Sequence, residues 1–280
     1  MRTTLIVAIT LWTVPTAYGQ TFDAPETEAA IQRMEIAHGG RDAFLSQGGI
    51  QIDLSMYLTS LESPDRSNAS NWRNYSIDLH PATSRVTVEI PSEPTMGAEV
   101  AFDGQQMWAT NYEIDPQYND PPWMLAWYHY AMISLPFIVA DEAANITSIG
   151  QRDAIGGRQG PFELYQVSFS PSGKIHNGTL NLIIDPQTDR LAGWQQSAWL
   201  PVLPGDVLPA EFPASPGNPV RMVDAWIEAG GFIFPSHYSS LDPVGVITGV
   251  HSANNISLDP FNEGRLERAE NARIIFTLPD

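Results

Sequence analysis

The run Ile50-Gln-Ile-Asp-Leu-Ser-Met-Tyr-Leu-Thr59 places Ile50, Ile52, Leu54, Met56 and Leu58 at every second position, with Gln51, Asp53, Ser55, Tyr57 and Thr59 between them. Successive side chains of a strand point to opposite faces, so this stretch predicts a long strand with one face on a core and one in water. The period recurs. Val86, Val88 and Ile90 alternate with Arg85, Thr87 and Glu89; Leu180, Leu182 and Ile184 alternate with Thr179, Asn181 and Ile183; Tyr165, Val167 and Phe169 mark another strand. Turn signals at Asp103-Gly104, Ser172-Gly173, Asp185-Pro186-Gln187 and Gly230-Gly231 join such runs as hairpins. The pattern predicts about ten to twelve strands in one large antiparallel sheet.

Three helical segments interrupt this pattern. Pro25 to Ala37 carries Ala30, Ile31, Met34 and Ala37 at helical spacing, with Asp23 as the expected cap, and stops at His38-Gly39-Gly40. A short turn, Arg41 to Ser46, follows. The third segment, Pro121 to Ala140, reads PPWMLAWYHYAMISLPFIVA and holds no charged residue. Pro136, His129, Ser134 and two tyrosines argue against a membrane span and for a helix, broken near Pro136, with apolar surfaces on several sides. A sheet with a polar outer face and a helix this apolar are reconciled when the helix lies inside the curve of the sheet.

Composition bounds the function. The chain has 280 residues, no cysteine, 32 acidic against 14 basic residues and a formal charge of -18. Thiol chemistry, disulfides and Cys-ligated metals are excluded, and nucleic acid is a poor partner, because its recognition depends on neutralising phosphates with Lys and Arg. Residues 1–19 carry Arg2, an apolar run from Leu5 to Val14 and the small-residue frame Ala17-Tyr18-Gly19, the layout of a cleaved signal peptide. The expected location is therefore the periplasm, or outside the cell in a eukaryote or a monoderm. Residues 20–280 then form a single domain, since strand patterns resume at Val220 directly after the proline-rich segment Pro201 to Pro219.

Catalytic signals are weak. The six histidines show no metal-binding spacing, and no Gly-x-Ser-x-Gly, phosphate loop or dinucleotide fingerprint is present. His38, at a helix end, is expected to face the last carbonyls and the negative end of the helix dipole. His129, on the apolar helix, reads as a hydrogen-bonded core residue. The acidic clusters 115–120 and 185–189 read as solvated turns. Trp123, Trp127, Tyr128 and Tyr130 with Met124 and Met132 read as core filling or as the wall of a pocket for a greasy ligand.

The order of these features resembles the periplasmic lipoprotein-carrier superfamily, the LolA-like and LolB-like proteins. The resemblance rests on the signal peptide, the helix ending Ala37-His38-Gly39-Gly40, the long first strand, the hairpin Val100 to Trp108, the helix ending Leu135-Pro-Phe-Ile-Val139, and the hairpin Gly178 to Trp194. Ala225 to Pro235 resembles the late hairpin of larger members. The family implies a mainly β fold with α: a large antiparallel sheet curved into an unclosed barrel, helices on its concave face. It also implies a non-catalytic role, sheltering a lipid or the acyl chains of a lipoprotein in an apolar cavity, with an envelope membrane protein as a further partner and no cofactor. The candidate lining is Ile52, Leu54, Met56, Val86, Val88, Trp123, Trp127, Met132 and Phe137. The chain is longer and more acidic than the simple carriers, and their lid-latching arginine corresponds to no single arginine here. Two alternatives stand beside this reading: a secreted lyase or hydrolase using the same cavity, and a structural envelope module filled by its own helix.

Overall fold

A computed structural model describes residues 21–58, 72–90, 97–112, 122–169, 179–196, 219–242 and 245–277. The expected signal peptide, the Ser172-Gly173 turn, the acidic cluster 115–120 and nearly all of the proline-rich segment lie outside the described residues.

The chain forms the helices α1 (Pro25–Ala37), α2 (Arg41–Leu45) and α3 (Pro122–Glu142). Its strands are β1 (Thr21–Phe22), β2 (Ile50–Leu58), β3 (Trp72–His80), β4 (Arg85–Ile90), β5 (Ala98–Phe102), β6 (Gln106–Thr110), β7 (Ala143–Ile155) and β8 (Arg158–Phe169). They continue with β9 (Thr179–Asp185), β10 (Arg190–Gln196), β11 (Val220–Ala229), β12 (Phe232–Leu241), β13 (Ile247–Ser257) and β14 (Arg273–Thr277). All belong to one sheet in the order β1-β7-β8-β9-β10-β11-β12-β13-β2-β3-β4-β5-β6-β14. Among the described strands only β1 runs parallel to its neighbour; the others are antiparallel, and β1 and β14 end the sheet without closing it. The described strands number 14, above the ten to twelve expected; β1, at 2 residues, is too short to show a period and accounts for one of the excess.

The topology makes α3 cross the sheet. It links β6 to β7, which lie eleven strand spacings apart, about 50 Å in a flat sheet. The helix has 21 residues and is about 32 Å long, yet it packs against both β6 and β7. The sheet must therefore curl around it. Nearly every described side chain of α3 from Leu125 to Val139 is buried, which explains why the segment is apolar on all sides. No helix among the described residues is long and apolar enough to cross a membrane. The helix is not broken at Pro136 as expected; it continues to Glu142. Proline costs one backbone hydrogen bond there, and packing on every side holds the helical path.

The concave face is set by register. Ile256, Ile52, Ile77, Val88, Val100 and Ala109 form a single row across β13, β2, β3, β4, β5 and β6. At the N-terminus of α1, Asp23 is not the cap; Ala24 holds that position, while Asp23 accepts from the Thr27 hydroxyl at 2.6 Å and from the Ser148 backbone N–H at 3.0 Å. It ties the helix start to β7.

On the convex face, residues 258–268 form a strap over β3, β4 and β5. The Phe261 N–H donates to the Gly48 carbonyl at 3.0 Å, the Asn262 N–H donates to Asp78 at 2.9 Å, and Arg265 meets Glu89 at 3.0 Å and Glu99 at 3.5 Å. The approach needs a glycine: a Cβ on Gly49 would stand 2.2 Å from the Phe261 nitrogen and 2.4 Å from the Asp259 carbonyl. Gly49→Ala is expected to cost about 2 kcal/mol by forcing these backbones apart. Thermal denaturation reads this directly, and an unchanged melting temperature would mean that the strap does not dock closely.

Candidate functional site: the space between sheet and helix

Between α3 and the sheet lies a cavity of about 30 Å³ lined by Ile52, Leu54, Ile77, His129, Met132, Ile133, Phe234, Pro235, Tyr238, Ala253 and Ile256. β2 and β3 supply one wall, β12 and β13 another, and α3 the roof. The alternation that buries Ile52 and Leu54 also aims Ile77 inward, since Ile52 faces Ile77 and Leu54 faces Tyr75 across the β2–β3 ladder. The space holds a water or two, far below the several hundred Å³ of ordinary ligand pockets. In this arrangement α3 itself fills the curve of the sheet.

The nine candidate residues separate. Ile52, Leu54 and Met132 line the cavity. Met56, Val86 and Val88 are buried on the concave face without lining it, Met56 opposite Arg73 and His251, Val86 and Val88 on β4. Phe137 belongs to another cluster: its ring stacks on Phe44 at 4.2 Å and meets Phe234 at 5.4 Å, Phe232 at 5.8 Å and His38 at 5.9 Å. Trp123 and Trp127 stand on α3, and their side chains lie outside the described residues. Sequence reasoning missed Ile77, Ile133, Phe234, Pro235, Tyr238, Ala253 and Ile256, and read His129 as a core residue only. The alternation Phe232, Phe234, Ser236, Tyr238 was a legible signal, but nothing local shows that β12 and β13 fold back beside β2.

Polar groups enter at one end. His129 donates from Nδ1 to the Leu125 carbonyl at 2.7 Å, and its Nε2 has no hydrogen-bond partner. Burial pushes its imidazole down to about 4, so it is neutral at pH 7. Its ring lies 5.0 Å from Tyr75 and 5.5 Å from Tyr128. Tyr238 stacks on His251 at 4.2 Å and lies 5.0 Å from Trp194. Among the described residues no three metal-ligating side chains come together.

With this geometry, the architecture matches solved structures. A putative outer membrane lipoprotein-sorting protein domain from Vibrio parahaemolyticus superposes with a TM-score of 0.50 at 7% identity, over 87% of this chain and 99% of that one. The fold is shared. A DUF1329 family protein from Desulfovibrio piger gives a TM-score of 0.50 at 8% identity, over 88% of this chain and 98% of that one. No family model matches the sequence, and no curated protein matches it. The likeness to the lipoprotein-sorting domain is one of fold, in agreement with the unclosed barrel and concave helices that the sequence resemblance implied. Identities this low transfer no ligand.

His38 is not the dipole-facing residue expected from its place at the end of α1. Its main chain caps the helix, but its ring turns inward: Nδ1 donates to the Ile233 carbonyl at 2.5 Å and Nε2 accepts from the Leu191 N–H at 3.1 Å. It is fully buried, and burial holds its imidazole at about 4. Leu191 begins a register shift in the β10–β9 ladder, where one strand carries an extra residue. His38 supplies the acceptor for the amide at that irregularity.

Proposed function

We propose that this protein is an exported carrier that shelters an acyl chain between the concave face of its sheet and α3, without catalysis. The observation that carries the reading is the pairing of an apolar concave wall with a helix buried on nearly all sides, in a fold shared with a lipoprotein-sorting domain. An aqueous compartment gives no other place for a lipid chain, which gains about 0.8 kcal/mol for each CH2 removed from water. In the arrangement described, α3 stands where the chain would lie, so loading requires the helix to shift toward solvent. The side chains at the cavity are apolar apart from His129 and Tyr238, which suits binding better than bond chemistry.

The small cavity also favours a second reading, a structural module permanently filled by its own helix. Native mass spectrometry of protein purified gently from its own cells separates the two. The carrier predicts one lipid-sized mass per chain, and replacing the cavity residue Leu54 with Asp removes it. Bare polypeptide that also ignores added fluorescent fatty acids would leave the self-filled module.

A further inference from the structure

The concave face changes chemistry along the strands. The row through Ile256, Ile52, Ile77 and Val88 is wholly apolar, and the next on β13, β2 and β3 holds Ala253, Leu54 and Tyr75. One step further along stand Tyr238, His251, Met56 and Arg73, in register across β12, β13, β2 and β3. On β11, two residues before Val223, which pairs with Tyr238, Arg221 stands opposite Trp194 of β10. Same-face rows lie about 7 Å apart, so the apolar cavity wall and this polar end are separated by little more than the length of a few methylenes.

Two buried N–H donors at the polar end lack an acceptor. The Nε–H of Arg221 and the indole N–H of Trp194 are shut off from water without any hydrogen-bond acceptor, and Nδ1 of His251 is likewise without a partner. Trp194 is 0% and His251 3% exposed. Burial first, then the charge of Arg221 and the proximity of His129, hold the His251 imidazole well below its usual range, so it is neutral and can present a ring N–H. The guanidinium of Arg221 lies 5.4 Å over the ring of Tyr128, which is its cover from α3.

Five described arginines pair with carboxylates, and Arg152 and Arg268 bond to a carbonyl and a side-chain amide, whereas the Nε–H of Arg221 has no acceptor. Arg33 pairs with Asp189, Arg41 with Asp141, Arg85 with Glu263, Arg158 with Asp224 and Arg265 with Glu89. No described carboxylate pairs with Arg221. Arg221 is only partly buried, but its Nε–H is shut off from water, and an unmade hydrogen bond from a buried donor costs more than a made one returns. Two donors and the neutral imidazole of His251, gathered around the Tyr238 and Tyr128 rings with a positive charge and no described carboxylate, have the chemistry of a receptor for an anionic, acceptor-rich group.

We propose that Arg221, Trp194 and His251 receive the anionic head group of a single-chain amphiphile whose tail enters the apolar cavity, Tyr128 withdrawing with α3 to uncover them. The assignment rests on the carrier reading and adds the chemical class of the cargo: a carboxylate or phosphate on an acyl or alkyl chain. The formal charge of -18 belongs to the whole chain, whereas the charged side chains in these rows, Arg73 and Arg221, are both cationic.

Titration calorimetry of the purified protein with oleate, oleyl phosphate and methyl oleate tests it. At least one of the two anions is expected to bind about tenfold or more tightly than the neutral ester, and Arg221→Gln to weaken that anion about tenfold to a hundredfold. Arg221→Lys, which keeps the charge but not the fork, is expected to fall between. Which anion binds better identifies the source of the head group. Equal binding of all three by the unaltered protein overturns the head-group site and leaves the carrier standing, and this comparison holds even if the variants do not fold. Failure of all three to bind overturns both.

Discussion

His38→Ala is expected to lower the free energy of unfolding by about 3–5 kcal/mol, a large part of the 5–15 kcal/mol typical of a folded domain. The ring bridges three elements: it stands at the end of α1, donates to the carbonyl of Ile233 in β12 and accepts from the amide of Leu191 in β10. Removing it leaves a buried carbonyl and a buried amide without partners, each costing about 1–3 kcal/mol, and opens a hole beside the ring of Phe137. The flanking glycine keeps the ring in place. Gly39 has φ of +115°, and a Cβ there would lie 2.7 Å from the Phe232 ring. Urea denaturation at pH 7 measures the loss. His38→Phe, which refills the volume but makes neither bond, should recover only the cavity share. A loss below about 1 kcal/mol for His38→Ala would show that water replaces both contacts and that the bridge is not a stabilising feature.

The second large effect is acid sensitivity. Burial lowers the imidazoles of His38 and His129 from 6.5 to about 4, and that of His251 well below its usual range. In the unfolded chain all three protonate near pH 6.5, whereas in the folded chain they do not. Their contribution is therefore complete above pH 6.5 and is lost as the pH falls toward 4, by on the order of 3 kcal/mol for each of the first two. Glu35 acts in the opposite sense. Burial, opposed by Arg41, raises its carboxyl from 4.5 to about 7, so its share is present below pH 4.5 and lost as the pH rises through about 7. Asp78 and Glu99, also raised by burial, work in the same direction as Glu35. The histidines outweigh them, and the urea midpoint is expected to drop steeply between pH 6.5 and 4. A midpoint that stays level or rises across this window would show that the buried imidazoles do not control acid stability. In His129→Phe the drop should be shallower, because one of the three protonations is gone.

Parts of this molecule were legible from local sequence because the forces behind them are local. The period of Ile50 to Leu58 placed β2, and the spacing of Ala30, Ile31 and Met34 placed α1 with the bounds observed. The uncharged segment from Pro121 announced a helix with no solvent face, as α3 proves to be over its described side chains. The break near Pro136 was misread because proline's local cost was weighed without the packing that overrides it. Asp23 was misread as a cap for a similar reason: its carboxylate serves β7, a strand more than a hundred residues away.

The candidate site was less legible than the fold. Ile52, Leu54 and Met132 meet at the cavity, but Phe137 stacks on Phe44 in a separate cluster, although both Met132 and Phe137 lie on the same helix. A helix buried on every side gives no preferred face, so its sequence cannot say which residue meets which wall. The donors at the polar end come from β10, β11 and β13, and no linear pattern links Trp194, Arg221 and His251.

By itself, the sequence determined an acidic, cysteine-free chain of alternating strands around one uncharged helix, because side-chain period and composition are properties of neighbouring residues. Tertiary structure alone decided that β13 lies beside β2, that α3 crosses from one end of the sheet to the other, and that a cavity of about 30 Å³ lies beneath it. Those facts depend on strand order and on how fully a helix fills a curve. They are set by pairings across much of the chain, where hydrogen-bond register and packing, rather than local preference, choose the partner.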